Sequence, residues 1–108
     1  MRKQEIIKNL EENFGLDTPE AIEIFDSYKC ALKENIAIMQ QGLTDDNIDE
    51  VARAAHSIKG CALNCGDDLM ATTAKLAQLS AIARDIDSFE DAFEKIKNMS
   101  LEVFSEKL

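Results

Sequence analysis

An all-α fold, an up-down antiparallel four-helix bundle with a short N-terminal accessory helix, follows from three features of the sequence. Four Gly and one Pro, at Gly15, Pro19, Gly42, Gly60 and Gly66, are all that interrupt 108 residues. No segment alternates apolar and polar residues as a half-buried strand does, and apolar residues spaced by three or four recur along the whole chain. A composition 45% hydrophobic and 31% charged is that of a globular chain, too apolar for disorder. The length fits one domain over 1–108, able to bury roughly two thirds of its unfolded surface without a disulfide or metal staple.

The elements follow in order. Residues 3 to 13 put Ile6, Ile7, Leu10 and Phe14 on one side of a short cover helix that ends near Gly15. Thr18, Pro19 and Glu20 then supply an N-cap, a proline at the first helical position and an acid at the positive end of the dipole. The second helix carries Ile22, Phe25, Tyr28, Leu32, Ile36 and Met39 inward and runs to Gly42, an apolar stripe roughly 35 Å long that only a bundle core can cover. Thr44-Asp45-Asp46-Asn47 starts the third after a short loop, which favours antiparallel neighbours. Its stripe is Ile48, Val51, Ala55, Ile58 and Ala62, with a stop over Asn64 to Gly66. Asp67-Asp68 caps a fourth helix with Leu69, Thr73, Leu76, Leu79 and Ala83 inward. Ser88 caps a fifth, with Phe89, Phe93, Ile96 and Val103 inward.

Charge excludes several classes of function. Twelve basic against 21 acidic side chains leave a formal charge of −9, the opposite of what nucleic acid or an anionic membrane surface rewards. No stretch approaches a spanning helix or a signal-peptide core, so the chain is expected in the cytoplasm. Its three cysteines are expected as thiols in a reducing compartment. The acidic pairs Glu11-Glu12, Asp45-Asp46, Asp49-Glu50 and the Asp85 to Asp87 segment mostly solvate and cap helix ends.

His56, the single histidine, lies roughly 120° from the centre of the third helix's apolar stripe and should reach solvent. A lone exposed histidine is usually a bystander, but its neighbours are unusual. Lys59 lies one turn on, on the same face. Gly60 faces outward, where it costs about 1 kcal/mol against Ala in a helix interior, and the clearing it leaves would admit another protein's backbone. A neutral imidazole with a cation and a clearing beside it suits nucleophilic phosphoryl chemistry. Phosphoryl transfer is mostly positioning and electrostatics, so so small a site suffices.

The run Ala55-His56-Ser57-Ile58-Lys59-Gly60-Cys61-Ala62-Leu63-Asn64-Cys65-Gly66 resembles the signature of the histidine-containing phosphotransfer (HPt) domains of multistep two-component signalling: His, then Lys and Gly three and four positions later, small residues, and an Asn-x-Gly end. The resemblance covers the whole chain, since these domains are helical bundles of this size with an exposed histidine midway along one helix. It implies that His56 accepts a phosphoryl group from the aspartyl phosphate of a response-regulator receiver domain and passes it to another receiver. A hybrid histidine kinase lies in the relay, and Mg2+ is supplied by the receiver. By the same resemblance Lys59 stabilises phosphate charge and Gly60 admits the receiver's loops. Gln78 stands where several members place a glutamine that hydrogen-bonds the inner ring nitrogen, or it is an ordinary exposed residue. Arg53 and Lys59 make a basic strip that could orient a carboxylate-rich receiver. Ala52 and Leu63 form the dry part of that contact or are partly buried in the bundle. The chain departs from the pattern at Cys61, where Ser or Ala is commoner, and in the acids Asp67-Asp68 beyond the glycine.

Two other classes compete: a helical adaptor that binds receivers without carrying phosphate, and a redox- or metal-responsive protein built on Cys61 and Cys65. Retention of His, Lys and Gly together counts against the first. For the second, Cys61, Cys65 and His56 match no zinc spacing and lack a fourth ligand, although a thiol at Cys61 could make transfer sensitive to oxidation. Cys30 is read as ordinary packing. No nucleotide-binding loop is present, so no kinase activity is expected. A short chain beginning at Met1 is expected to be a free-standing, monomeric carrier.

Overall fold

The computed structural model describes residues 2–105, with side chains from Lys3 onward. Five helices account for almost all of them: α1 (Arg2–Phe14), α2 (Thr18–Thr44), α3 (Ile48–Asn64), α4 (Asp68–Ala83) and α5 (Ile86–Phe104). No strand occurs among the described residues. Each of α2 to α5 packs on its neighbour in sequence, α5 closes the ring on α2, and α1 lies across α2 and α5. The longest dimension, 42 Å, is about that of the 27-residue α2 at 1.5 Å per residue. No helix is long and apolar enough to cross a membrane among the described residues.

Helix starts are set by acids and amides at the cap. Asp17, one residue before the expected Thr18, caps α2: its carboxylate accepts from the Glu20 amide at 2.9 Å while Glu20 accepts from the Asp17 amide at 3.1 Å. This reciprocal box puts Pro19 one position further into the helix than expected. α5 begins at Asp85, three residues before the expected Ser88. The Ser88 amide and hydroxyl both donate to the Asp85 carboxylate, at 3.2 and 2.7 Å, so Ser88 serves as the third helical residue of a better acceptor. Asn47 and Asp67 cap α3 and α4.

Two glycines act differently from one another. Gly66 ends α3 as expected, at φ +69, with its amide donating to the Leu63 carbonyl and that of Asp67 to the Ala62 carbonyl at 2.9 Å, the paired closure that favours a left-handed residue. Gly42 was expected to stop α2 but lies within it, buried, and the helix runs on to Thr44. A Cβ there would sit 2.7 Å from Val51 Cγ2 and 3.2 Å from the Asn47 carbonyl oxygen. Gly42 is therefore the point at which α2 meets the start of α3.

The core is aromatic on one side and alanine-rich on the other. Phe25 and Tyr28 of α2 and Phe89 and Phe93 of α5 are buried, as are Leu32, Met39, Val51, Ala55, Ile58, Ala62, Ile96 and Val103. Ile6 and Leu10 anchor α1, whereas Phe14 is 50% exposed and Ile22, expected inward, is 40% exposed beside the buried Ala21. The largest departure is α4. Of its five expected inward residues only Thr73 is buried; Leu69, Leu76 and Leu79 are more than half exposed, and Ala83 is exposed. α4 instead buries Met70, Ala71, Ala74, Ala77 and Ala81. These residues also recur by three or four, and with α2 and α5 already supplying aromatic bulk, the small face is the one that fits against α3. Ala52, Ala54, Ala55 and Ala62 line the buried side of α3, so small residues meet small residues, and helix axes can lie at the short end of the 8–10 Å packing range.

The turn between α3 and α4 is tied from both sides. The Tyr28 hydroxyl donates to Asp67 Oδ2 at 2.7 Å inside the protein, and the Asn9 side-chain amide of α1 donates to the Cys65 carbonyl at 3.2 Å. Asp67, read as a departure in the signature, is thus a buried cap and hydrogen-bond partner, while Asp68 is exposed.

Candidate functional site

α3 presents the expected residues midway along its length. His56 is exposed, and no hydrogen bond holds its ring among the described residues. Its surroundings set its direction. Cys61 and Asn64 line a small cavity with Ile24, Ser27 and Tyr28 of α2, and His56 lies about 140° round the helix from Cys61. The imidazole therefore faces outward and away from α2, on the flank shared with α4.

Lys59 is half-buried one turn on. Gly60 is exposed, and a Cβ built on it meets no atom within 4 Å. Unlike Gly42, then, Gly60 answers no packing demand among the described residues. Arg53, one turn before His56, is exposed and pairs with Glu50 at 3.5 Å, an exposed pair of the kind worth well under about 1 kcal/mol. The Ser57 hydroxyl is turned back onto the Arg53 carbonyl at 3.2 Å.

Of the expected contact residues, Leu63 is 53% exposed, but Ala52 is only 9% exposed. Ala52 therefore belongs to the α3 packing face, the second of the two readings given for it, and offers a partner little more than an edge. Gln78 is half-buried on α4, and no hydrogen bond joins it to His56 among the described residues. The sequence reading missed the exposed apolar side of α4, because it assigned those leucines to the core. The signal was present in the competing stripe of Ala71, Ala74, Ala77 and Ala81.

All three cysteines are free thiols. Cys30 is exposed, which corrects its reading as a packed residue; on α2 it projects away from the Phe25, Tyr28 and Leu32 stripe. Burial pushes the Cys61 thiol up from its ordinary range and, with Cys61 alongside, pushes Cys65 up to about 12. Both are protonated at neutral pH and so poor nucleophiles. No group of three or more His, Cys, Asp or Glu is arranged to hold a metal ion among the described residues. The groups round His56, a lysine ammonium, a guanidinium and aliphatic carbons, do not fit Mg2+, which requires oxygen ligands.

What the arrangement can do is narrow. An exposed imidazole, a cation one turn away and a cleared helix surface form an open site to which another macromolecule can bring the reacting group. A family model described as Hpt domain matches residues 23–106. No match is found among curated proteins or among solved structures.

Proposed function

The chain belongs to the Hpt domain family, and from that premise we propose that it carries a phosphoryl group on His56 between aspartate residues of receiver domains in a two-component phosphorelay. The family as a whole transfers phosphoryl groups through histidine in such relays. The neutral imidazole attacks the phosphorus of a receiver's aspartyl phosphate; a nitrogen–phosphorus bond forms on the outer ring nitrogen as the acyl phosphate P–O bond breaks, and the carboxylate leaves with the electron pair. The reverse step delivers the group to a second receiver. Lys59 offsets charge on the phosphoryl oxygens, Gly60 lets the receiver's loops approach, and Arg53 and Leu63 lie on the contact surface. Gln78 would turn to the inner ring nitrogen and fix the tautomer in the docked state. Mg2+ comes with the receiver, and a hybrid histidine kinase charges the relay. The protein works as a monomer in the cytoplasm and has no kinase activity of its own.

One observation carries this reading: Gly60 gives up helix stability near an exposed histidine although nothing among the described residues occupies the space it leaves. The test is transfer of labelled phosphate from several phosphorylated receivers to wild type and His56→Gln. Acid-labile, alkali-stable label that disappears in the variant is expected. Binding of receivers without label would identify an adaptor that carries no phosphate; neither label nor binding would refute the reading outright.

A further inference from the structure

We infer that Arg53 is a second phosphoryl-binding cation, held by Glu50 while His56 is empty and passed to the phosphoryl group when His56 carries one; this rests on the phosphocarrier reading above. Helix geometry sets the placement. Arg53 and Lys59 stand three residues before and three after His56, so they lie about 60° to either side of it and about 4.5 Å along the axis in opposite directions. Residues three apart are surface neighbours, with about 5–6 Å between Cβ atoms. Side chains on a helix lean toward its N-terminus, so the His56 ring leans over the turn that carries Arg53. Lys59 leans the same way and approaches the histidine from behind. A group on the outer ring nitrogen is thereby carried toward the guanidinium.

The two cations differ in freedom and in shape. Lys59 is half-buried, whereas the Arg53 side chain is 72% exposed and free to turn. A planar guanidinium can donate to two phosphoryl oxygens at once, in a fork that an ammonium does not offer. The Ser57 hydroxyl does not compete for this place, because it donates to the Arg53 carbonyl at 3.2 Å.

The ion pair with Glu50 defines the resting state. At 3.5 Å and between exposed groups it is weak and readily exchanged, and it draws the guanidinium toward the start of α3, away from His56. A phosphoryl group brings close to two negative charges, so at equal distance it attracts the guanidinium about twice as strongly as one carboxylate does. Loading His56 therefore moves Arg53 off Glu50, and unloading returns it. The two forms of the protein differ on their surface: the loaded one carries a neutralised phosphoryl group and a bare Glu50 carboxylate, the empty one a closed ion pair.

The lifetime of the phosphohistidine, with no partner present, reads this out. The group is lost when the ring nitrogen takes a proton, the N–P bond breaks with its electron pair going to the ring, and a water oxygen bonds to phosphorus to release inorganic phosphate. A guanidinium on the phosphoryl oxygens opposes that proton and holds the oxygen electrons that help expel the ring, so it slows the loss. Wild type and variants are loaded with phosphoramidate, freed of the reagent and followed by phosphorus NMR, with circular dichroism as the check on folding. Arg53→Ala is expected to shorten the lifetime about threefold or more, and Arg53→Lys to restore part of it. Asp49, exposed and four residues before Arg53, can take the place of Glu50, so the releasing variant is Asp49→Asn/Glu50→Gln. It should lengthen the lifetime, but not in an Arg53→Ala background, which separates the action of Arg53 from the mere loss of two acids. An Arg53→Ala lifetime equal to wild type would overturn the inference and leave the phosphocarrier reading standing. Equal lengthening in both backgrounds would overturn the exchange with Glu50. Failure of wild-type His56 to take a phosphoryl group from phosphoramidate or from any receiver would overturn both readings.

Discussion

Gly60→Ala should make the protein more stable and a worse phosphoryl acceptor at once. The substitution adds one methyl group to the middle of α3, where, the helix's own neighbouring backbone aside, no described atom lies within 4 Å of the new Cβ. Helix propensity alone then sets the stability change, about 0.8–1 kcal/mol in favour of Ala, or a rise in melting temperature of about 4–8 °C for a chain of this size. The same exchange at Gly42 gives the opposite sign. There the methyl group would meet Val51 Cγ2 at 2.7 Å and the Asn47 carbonyl oxygen at 3.2 Å, and overpacking of about 1–3 kcal/mol outweighs the propensity gain. Urea titration of both variants measures the pair. Transfer from a phosphorylated receiver to Gly60→Ala should fall about tenfold, the kinetic equivalent of about 1.4 kcal/mol, while labelling by phosphoramidate stays at the wild-type rate. Gly60→Ala with unchanged receiver transfer would refute the clearing as a docking feature, and a loss of stability would refute the packing argument beneath it.

Tyr28→Phe removes the donor to Asp67 Oδ2 from a buried site and should cost about 1–3 kcal/mol in urea titration, without changing labelling of His56; a cost within error of zero would show the bond to be replaceable by water. The Cys65 thiol, held at about 12 in the folded protein against an ordinary 9.0, contributes its full stability below about pH 9. Above that the unfolded thiol ionises first, and stability falls by up to about 1.4 kcal/mol per pH unit until pH 12. Cys65→Ala should flatten this limb of the pH profile relative to wild type, and identical slopes between pH 9 and 12 would contradict the burial of the thiol.

The helical class, the order of the elements and the exposed histidine were legible because each rests on local rules. Asp, Asn and Gly at helix ends act within a turn, and His56 lies off a stripe whose members Val51, Ala55, Ile58 and Ala62 are all fully buried. Even so, Thr18 and Ser88 gave way as caps to Asp17 and Asp85, because several acceptors stood within reach of the same amides and geometry selects among them. The site was read less fully than the fold. Lys59 and Gly60 could be found by spacing from His56, but Ala52 could not be assigned to the packing face without knowing where α4 lies.

The sequence by itself determined the number and order of the helices, which face of α2, α3 and α5 is apolar, and that a histidine, a lysine and a glycine lie within about one turn of α3. Tertiary structure alone decided the rotation of α4. Its leucines and its alanines both repeat at helical spacing, and the choice between them depends on how much volume the aromatic residues of α2 and α5 leave against α3. Because the alanines went inward, leucine and isoleucine side chains were left on the surface of α4, and Gly42, which reads as a stop, became a point where α2 closely meets the start of α3.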